Sequence, residues 1–439
     1  MTPPRPGPAG LPPASAPGPR PRGPLGRVVR WWVPAGWVGL AACRPEPAPA
    51  PAPPDVLLVV LDDVGLDRLG AAGNPLAHTP VLDDLAARGR WYRRAWGYPV
   101  CSPARAALQT GRHAPRTGVG ANVDDARSGL PGSERTLADV LRPAGYTSVY
   151  VGKWHLDPFD ARVPWDGGPL AHGYDRFAGT PGNLDDPFAW REVVDGEIVE
   201  RDRYVTTALA DEAVTLAAET PSPWFLTFAP HPPHGPLHAP PPDLHTYSPL
   251  GDDPASLVNA MMEATDTELG RVLAALPPET WVVVVGDNGD RFDGNAPGEL
   301  GKSTLSDAGV GVPLIVAGPG LAAGGPVDDL ASVVDVLPTL AALAAVDPGA
   351  VDGRSLLDRG GAPPWVATME FADGVDPVEG RAAARSETHK LLTGPDGDLA
   401  FRYAPGASDE GEPLDAPTAE DQAALDGLRA ALRGLGAVR

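Results

Sequence analysis

Asp55-Val-Leu-Leu-Val-Val-Leu61-Asp62-Asp63 is the stretch on which the fold turns. Val56–Leu61 is apolar throughout, rich in valine and leucine, with no polar alternation. Such a run describes a strand buried on both faces, the kind found inside parallel sheets. Runs of similar character at Tyr146–Val151, Trp224–Ala229, Trp281–Val285 and Pro313–Ala317 predict further strands. Helical patterns at Pro80–Arg88, Thr136–Ala144 and Met261–Leu276 lie between them. Alternating strands and helices give an α/β fold, a large mostly parallel sheet flanked by helices. After a helix at Asp335–Leu343 the pattern changes: Trp365–Glu370, Glu387–Leu392 and Asp398–Tyr403 read as hairpin strands, the last two joined by a Pro395-Asp396-Gly397 turn. A closing helix is announced by Thr418 with Asp421, a capping box, and by the stripe Leu425, Leu428, Leu432 and Leu435. The chain therefore divides into a main domain at 55–361 and a smaller C-terminal α+β subdomain at 362–439. No internal repeat is evident.

The chain has 439 residues, 43% hydrophobic and 21% charged, enough apolar material for a substantial core. Lysine plus arginine number 35 against 57 acidic residues, a formal charge of −22 that excludes a nucleic-acid backbone as the main partner. Residues 1–54 differ: six arginines and only Glu46 give +5, and 17 of the 55 prolines lie there. Within them the uncharged stretch Trp31–Ala42, preceded by Arg27 and Arg30, has a signal-peptide outline. It is shorter than the roughly 20 residues of a spanning helix, and Pro34 and Gly36 weaken it further. Its end, Leu40-Ala41-Ala42-Cys43, resembles the bacterial lipobox, in which cleavage before the cysteine frees it to carry a lipid. The expectation is a lipoprotein signal peptide at 1–42, a Pro/Ala-rich spacer at 43–54, and a periplasmic or cell-surface protein anchored to the membrane at Cys43. An ordinary signal peptide with a stray cysteine is the alternative. Cys43 and Cys101 are too few for a disulfide framework.

Two strand candidates end in polar pairs: Leu61 runs into Asp62-Asp63, and Val285 runs through Gly286 into Asp287-Asn288. In open parallel sheets ligands bind beyond the carboxyl ends of strands. Three carboxylates and an amide oxygen converging there suit a hard divalent cation, calcium ahead of magnesium. Taken singly, each pair reads equally as an Asx turn or a helix N-cap.

Cys101-Ser-Pro-Ala-Arg105, continued by Thr110-Gly111-Arg112, closely resembles the signature of the sulfatase family of the alkaline-phosphatase superfamily. Gly145-Tyr-Thr-Ser-Val-Tyr-Val-Gly-Lys-Trp-His155 is similar to that family's second signature. His231-Pro-Pro-His234-Gly-Pro-Leu-His238 places His234 on the family's active-site histidine, and Gly301-Lys302 before Gly311-Val-Pro-Leu-Ile315 resembles the segment that supplies its second lysine. The resemblance runs from Asp55 to about Leu357. Two departures stand out: Gln109 where the pattern is usually apolar, and Asp307 where glutamate is frequent. Gly301-Lys302-Ser303-Thr304 also looks like the end of a phosphate-binding P-loop, but the first glycine of that motif falls on Ala296. A zinc site at His231, His234 and His238 is a further alternative, with no cysteine cluster to support it.

The resemblance implies an enzyme that hydrolyses a sulfate monoester to an alcohol and inorganic sulfate. A dedicated formylglycine-generating enzyme would convert Cys101 to formylglycine, an aldehyde whose hydrate offers the attacking oxygen. Asp62, Asp63, Cys101, Asp287 and Asn288 would hold calcium. Arg105, Lys153 and Lys302 would hold the anionic ester, His234 with Lys302 would protonate the departing alcohol, and His155 would help expel sulfate. Expected substrates are sulfated carbohydrates or small sulfate esters. Alternatives are a phosphodiester or phosphonate monoester hydrolase of the same superfamily, and a non-catalytic lipoprotein that binds sulfated glycans.

Overall fold

The structure, a computed structural model, describes residues 52–123, 129–159, 165, 167–290, 301–321, 324–358, 364–371, 380–404, 407 and 411–438. The signal peptide, Cys43, most of the spacer and the boundary at 361/362 lie outside the described residues.

Among the described residues fourteen strands follow in chain order: β1 (Val56–Leu61), β2 (Arg90–Trp96), β3 (Thr147–Lys153), β4 (Arg176–Thr180), β5 (Trp190–Val194), β6 (Glu197–Arg201), β7 (Trp224–Ala229), β8 (Trp281–Gly286), β9 (Leu314–Ala317), β10 (Gly325–Ser332), β11 (Val366–Glu370), β12 (Arg381–Arg385), β13 (His389–Gly394) and β14 (Gly397–Arg402). The first ten form one sheet in the order β10-β2-β9-β8-β1-β7-β3-β4-β5-β6. Its centre, β8-β1-β7-β3-β4, is parallel. Antiparallel pairs with β9 and with the β5–β6 hairpin extend it on either side. The last four strands make a separate antiparallel sheet, β11-β12-β13-β14. An α/β body with a smaller antiparallel sheet near the C-terminus is what the sequence implies.

Strand β1 shows why its sequence is uninterrupted. Val56, Leu58 and Val60 pack on one side against the helices Cys101–Thr110, Leu137–Leu141 and Val336–Leu343. Leu57, Val59 and Leu61 pack on the other against Pro80–Arg88, Val205–Glu219 and Pro254–Ala275. A polar residue at any of these positions would leave an unsatisfied group in one core or the other.

Several elements escaped the sequence. Residues 157–203, where the sequence patterns predict no element, contain β4 and the β5–β6 hairpin. Strand β2, Arg-Trp-Tyr-Arg-Arg-Ala-Trp, looks like a surface segment, yet Arg90 is buried because its guanidinium donates to the Leu356 and Leu357 carbonyls at 2.9 and 3.1 Å. The helix read at Met261–Leu276 begins earlier, at Pro254, where Asp253 accepts from the Ser256 amide at 3.0 Å and fixes the first turn.

Near the C-terminus, Thr418 and Asp421 form the expected capping box, and Leu425, Leu428 and Leu432 are buried. Asp307, the departure from the family's glutamate, sits where the two sheets meet. It accepts from Trp96 Nε1 at 3.0 Å and Tyr403 hydroxyl at 2.6 Å, with Lys390 Nζ at 3.4 Å.

Beneath the catalytic end, Tyr98 donates its amide to the Asp287 carbonyl at 3.0 Å, and its hydroxyl meets His113 Nδ1 at 2.8 Å. Burial pulls His113 down to about 4, against the attraction of Asp352. The unfolded chain therefore takes up a proton near pH 6.5 that the folded one refuses, so this stability is present above pH 6.5 and lost as pH falls toward 4. Between pH 7 and 4.5 the loss amounts to about 2–3 kcal/mol. Urea unfolding at the two pH values is expected to show that much less acid sensitivity in His113→Gln than in the wild type; equal losses would contradict it.

Candidate active site

The sheet delivers its polar groups to one rim. Asp62 and Asp63 follow β1, Asp287 and Asn288 follow β8, Lys153 closes β3 with His155 just beyond, and His231 and His234 follow β7. Cys101 opens the helix Cys101–Thr110, so its side chain lies at the positive end of the helix dipole. The backbone is bent to achieve this: Asp63, His155 and Ser303 have φ of 60, 58 and 71°, an uncommon region for residues with a side chain. Within β3, Gly152 has φ 111°, and a Cβ there would lie 2.0 Å from the Ala229 carbonyl oxygen. Only glycine permits that approach.

The side chains interlock around Cys101. Its Sγ is 3.4 Å from Asp62 Oδ1, 3.3 Å from Lys302 Nζ and 3.6 Å from Lys153 Nζ. Lys153 donates to Asp62 Oδ2 at 2.6 Å, and Lys302 donates to Asp63. Arg105, fully buried, donates to Asp287 Oδ2 at 3.0 Å and to the Lys153 carbonyl at 2.6 Å, and lies 3.4 Å from Asp62. His234 Nε2 stands 3.8 Å from Asp63 Oδ2, while its Nδ1 contacts the Gly235 carbonyl at 2.8 Å. Three carboxyl groups thus meet two lysines and an arginine.

Burial pushes the Asp62 carboxyl up, but Lys153, His234, Arg105 and Lys302 together outweigh it and hold the group well below the usual carboxylate range. Burial pushes the Cys101 thiol up to about 12. A thiol so reluctant to ionise is a poor nucleophile in its own right. Burial, reinforced by Lys153, keeps His155 well below the usual histidine range, so its imidazole is neutral.

A metal fits here. Ligand atoms of Asp62, Asp63, Cys101 and His234 lie within 4.8 Å of one another. Asn288 donates from Nδ2 to Asp63 Oδ1 at 2.8 Å and to the Gly289 carbonyl at 2.9 Å, which fixes the orientation of its amide. Its Oδ1 is left buried with no hydrogen-bond partner among the described residues. A buried amide oxygen without a donor, beside paired carboxylates, is what a hard cation satisfies.

The family description Sulfatase matches residues 54–346. The chain belongs to the sulfatase family. It is a sulfuric ester hydrolase by that membership, which its curated relatives support. Bovine (Bos taurus) arylsulfatase A is 34% identical over 80% of this chain and 75% of its own length. Mouse (Mus musculus) N-acetylgalactosamine-6-sulfatase is 31% identical over 72% of this chain and 67% of its own. The fold is shared with the crystal structure of Ps i-CgsB in complex with k-i-k-neocarrahexaose, at a TM-score of 0.75 and 23% identity, over 88% of this chain and 94% of that one.

Within this sulfatase the site residues expected from sequence converge, with adjustments. Asp62, Asp63, Cys101, Arg105, Lys153, His234, Asp287, Asn288 and Lys302 form one connected cluster. His234, expected to move protons, also falls among the candidate ligand atoms. Asp287, expected as a ligand, gives Oδ2 to Arg105 and receives the Asp63 and Asn288 amides on Oδ1 at 3.2 and 2.8 Å. Among the described residues His155 has no hydrogen bond to the cluster, and its buried Nδ1 has no partner. The three histidines of the zinc alternative do not gather: His231 Nε2 contacts Thr180 Oγ1 at 2.5 Å, and His238 Nε2 faces the Tyr204 hydroxyl at 3.3 Å. Gln109 is buried, and its Oε1 accepts from the Tyr174 hydroxyl at 3.0 Å, so the departure beneath the signature helix is paid by one hydrogen bond.

Sequence inspection missed two supports. Thr180, at the carboxyl end of β4, orients His231. Asn122 Oδ1 accepts the Ser102 amide at 3.0 Å, holding the first turn of the Cys101 helix. The position of β4 in the parallel sheet was the available signal for Thr180, and recognising that strand was the obstacle.

Proposed function

We propose that this sulfatase cleaves a sulfate monoester, on a carbohydrate or small alcohol, through a formylglycine made from Cys101 and with a calcium ion held by Asp62, Asp63, Asp287, Asn288 and the converted Cys101. The observation that carries this is the placement of Cys101. It begins a helix, between two lysines and two carboxylates, with a thiol held protonated by its surroundings. Such a thiol is a poor nucleophile in its own right, so an attacking oxygen made from this side chain fits the site better. The name of the N-acetylgalactosamine-6-sulfatase relative supports a sulfated carbohydrate.

When bound, calcium supplies a Lewis acid that stabilises negative charge and lowers the pKa of a hydroxyl. Formylglycine supplies, as its hydrate, that hydroxyl. This chain's residues do the rest. Lys153 and Lys302 set positive charge on either side of position 101, where an anionic ester must be oriented. Arg105, expected to hold the ester, is buried against Asp62 and Asp287 and offsets their charge instead. His234, with Lys302 beside it, would protonate the departing alcohol, and neutral His155 would take a proton as sulfate leaves. Rates on paired 4-nitrophenyl esters test the reaction class: sulfate is expected to be turned over much faster than phosphate or phosphonate monoesters, and the reverse order would favour phosphorus chemistry.

Calcium is expected to raise the thermal midpoint of chelator-treated protein. Ligand at a hundredfold excess over Kd contributes about 2.7 kcal/mol to stability. Asp62→Asn should abolish the shift, read by scanning calorimetry. A wild-type midpoint indifferent to calcium would contradict the assigned site.

We further propose export, with a signal peptide at 1–42, a lipid on Cys43, a tether through residue 54, a catalytic domain at 55–361 and a C-terminal subdomain at 362–439. The protein would then work in the periplasm or at the cell surface.

A further inference from the structure

We infer that the cleft beside His155 is a charge filter, which accepts a neutral or amino-bearing portion of a singly sulfated substrate and disfavours a second anion there. This deepens the sulfate-ester proposal and rests on it. A cleft of about 650 Å³ is lined by His155, a volume in the range of small-molecule sites. His155 links it to the reacting cluster: it lies two residues beyond Lys153, and it is buried with its Nδ1 unpartnered.

The charges of the cleft oppose those of the cluster. Among the described residues, its lining carries Asp157, Asp185, Asp186 and Glu200, with Arg191 the one lysine or arginine. Arg191 Nε lies 2.9 Å from Glu200 Oε1, so those two cancel. Asp157 is locked in place, accepting from Trp154 Nε1 at 2.7 Å and the Gly168 amide at 3.0 Å, with His172 Nε2 at 3.3 Å. Asp186 Oδ1 accepts the Phe188 and Ala189 amides at 2.7 and 3.2 Å, which fixes its carboxylate, and Asp185 beside it is exposed. Lysines 153 and 302 therefore attract one sulfate, while the carboxylates of Asp157, Asp185 and Asp186 line the cleft that His155 shares. Carboxylates accept hydrogen bonds from hydroxyl and ammonium groups and repel anions.

The test uses protein whose Cys101 has been converted and three 4-nitrophenyl sulfates that differ only in a short side arm ending in hydroxyl, ammonium or carboxylate. At low salt the carboxylate arm is expected to lower kcat/KM about tenfold relative to hydroxyl, chiefly through KM. The ammonium arm should do at least as well as hydroxyl. High salt should close the gap, because the charges are screened. In Asp185→Asn/Asp186→Asn the ratio between arms should shrink toward one; the ratio, not the absolute rate, is the readout. Equal values for the three arms, or a ratio the double variant leaves unchanged, would overturn the filter. If converted protein hydrolyses neither unsubstituted 4-nitrophenyl sulfate nor sulfated monosaccharides, the formylglycine proposal falls and the filter with it. Turnover with a flat ratio removes the filter alone.

Discussion

Cys101→Ala is expected to lower sulfate-ester turnover by at least about four orders of magnitude while leaving the protein folded, since loss of the covalent centre removes a whole catalytic unit. The structural cost is small. Sγ is one buried atom in contact with lysines and carboxylates, so its removal takes away little packing, about 1 kcal/mol. The Cys101 backbone belongs to a helix whose first turn is held by the Asn122 contact to the Ser102 amide, and alanine suits that position. Turnover of 4-nitrophenyl sulfate and the thermal midpoint, measured together, check both halves. An alanine variant with wild-type activity would remove Cys101 from the chemistry.

Arg105→Ala should do the opposite to stability. Its guanidinium is buried against Asp287 at 3.0 Å and Asp62 at 3.4 Å, and both carboxylates are fully buried. Removing the cation takes the ion pair from Asp287 and leaves Asp62 to Lys153 alone, where water cannot reach, at a cost of about 3–5 kcal/mol. Lys302→Ala makes an instructive contrast, because the Lys302 side chain is 10% exposed at the mouth of the cluster. That variant is expected to lose less stability than Arg105→Ala, because Asp63 keeps its Asn288 hydrogen bond, and to lose activity about 10²–10³-fold, as for other charge-stabilising groups in active sites. Urea unfolding and kcat measured on both variants separate the two roles. Arg105→Ala as stable as wild type would mean that the buried carboxylates are satisfied in some other way.

How far the sequence carried these conclusions depended on where each residue's partners lie. The central strands were legible because burial on both faces forces an unbroken apolar run, as in Val56–Leu61. The capping box at Thr418 and Asp421 was legible because its partners are three residues apart. Strand β2 was not, because Arg90 is buried through carbonyls some 266 positions away, a compensation no local pattern records. The hairpin β5–β6 was missed for a related reason: its charged residues, Arg191 and Glu200 among them, pair across the hairpin and look like loop composition when read singly. At the active site the residue types and their order were legible, whereas the division of labour was not. That Arg105 faces Asp287, and that Asn288 keeps an unpaired oxygen, are facts of three-dimensional pairing.

The central claim is a covalent change at Cys101, and the mass of the tryptic peptide Ala95–Arg105 from catalytically active protein made in its native host tests it directly. The expected result is an aldehyde in place of the thiol. An unmodified cysteine in fully active protein would contradict the account.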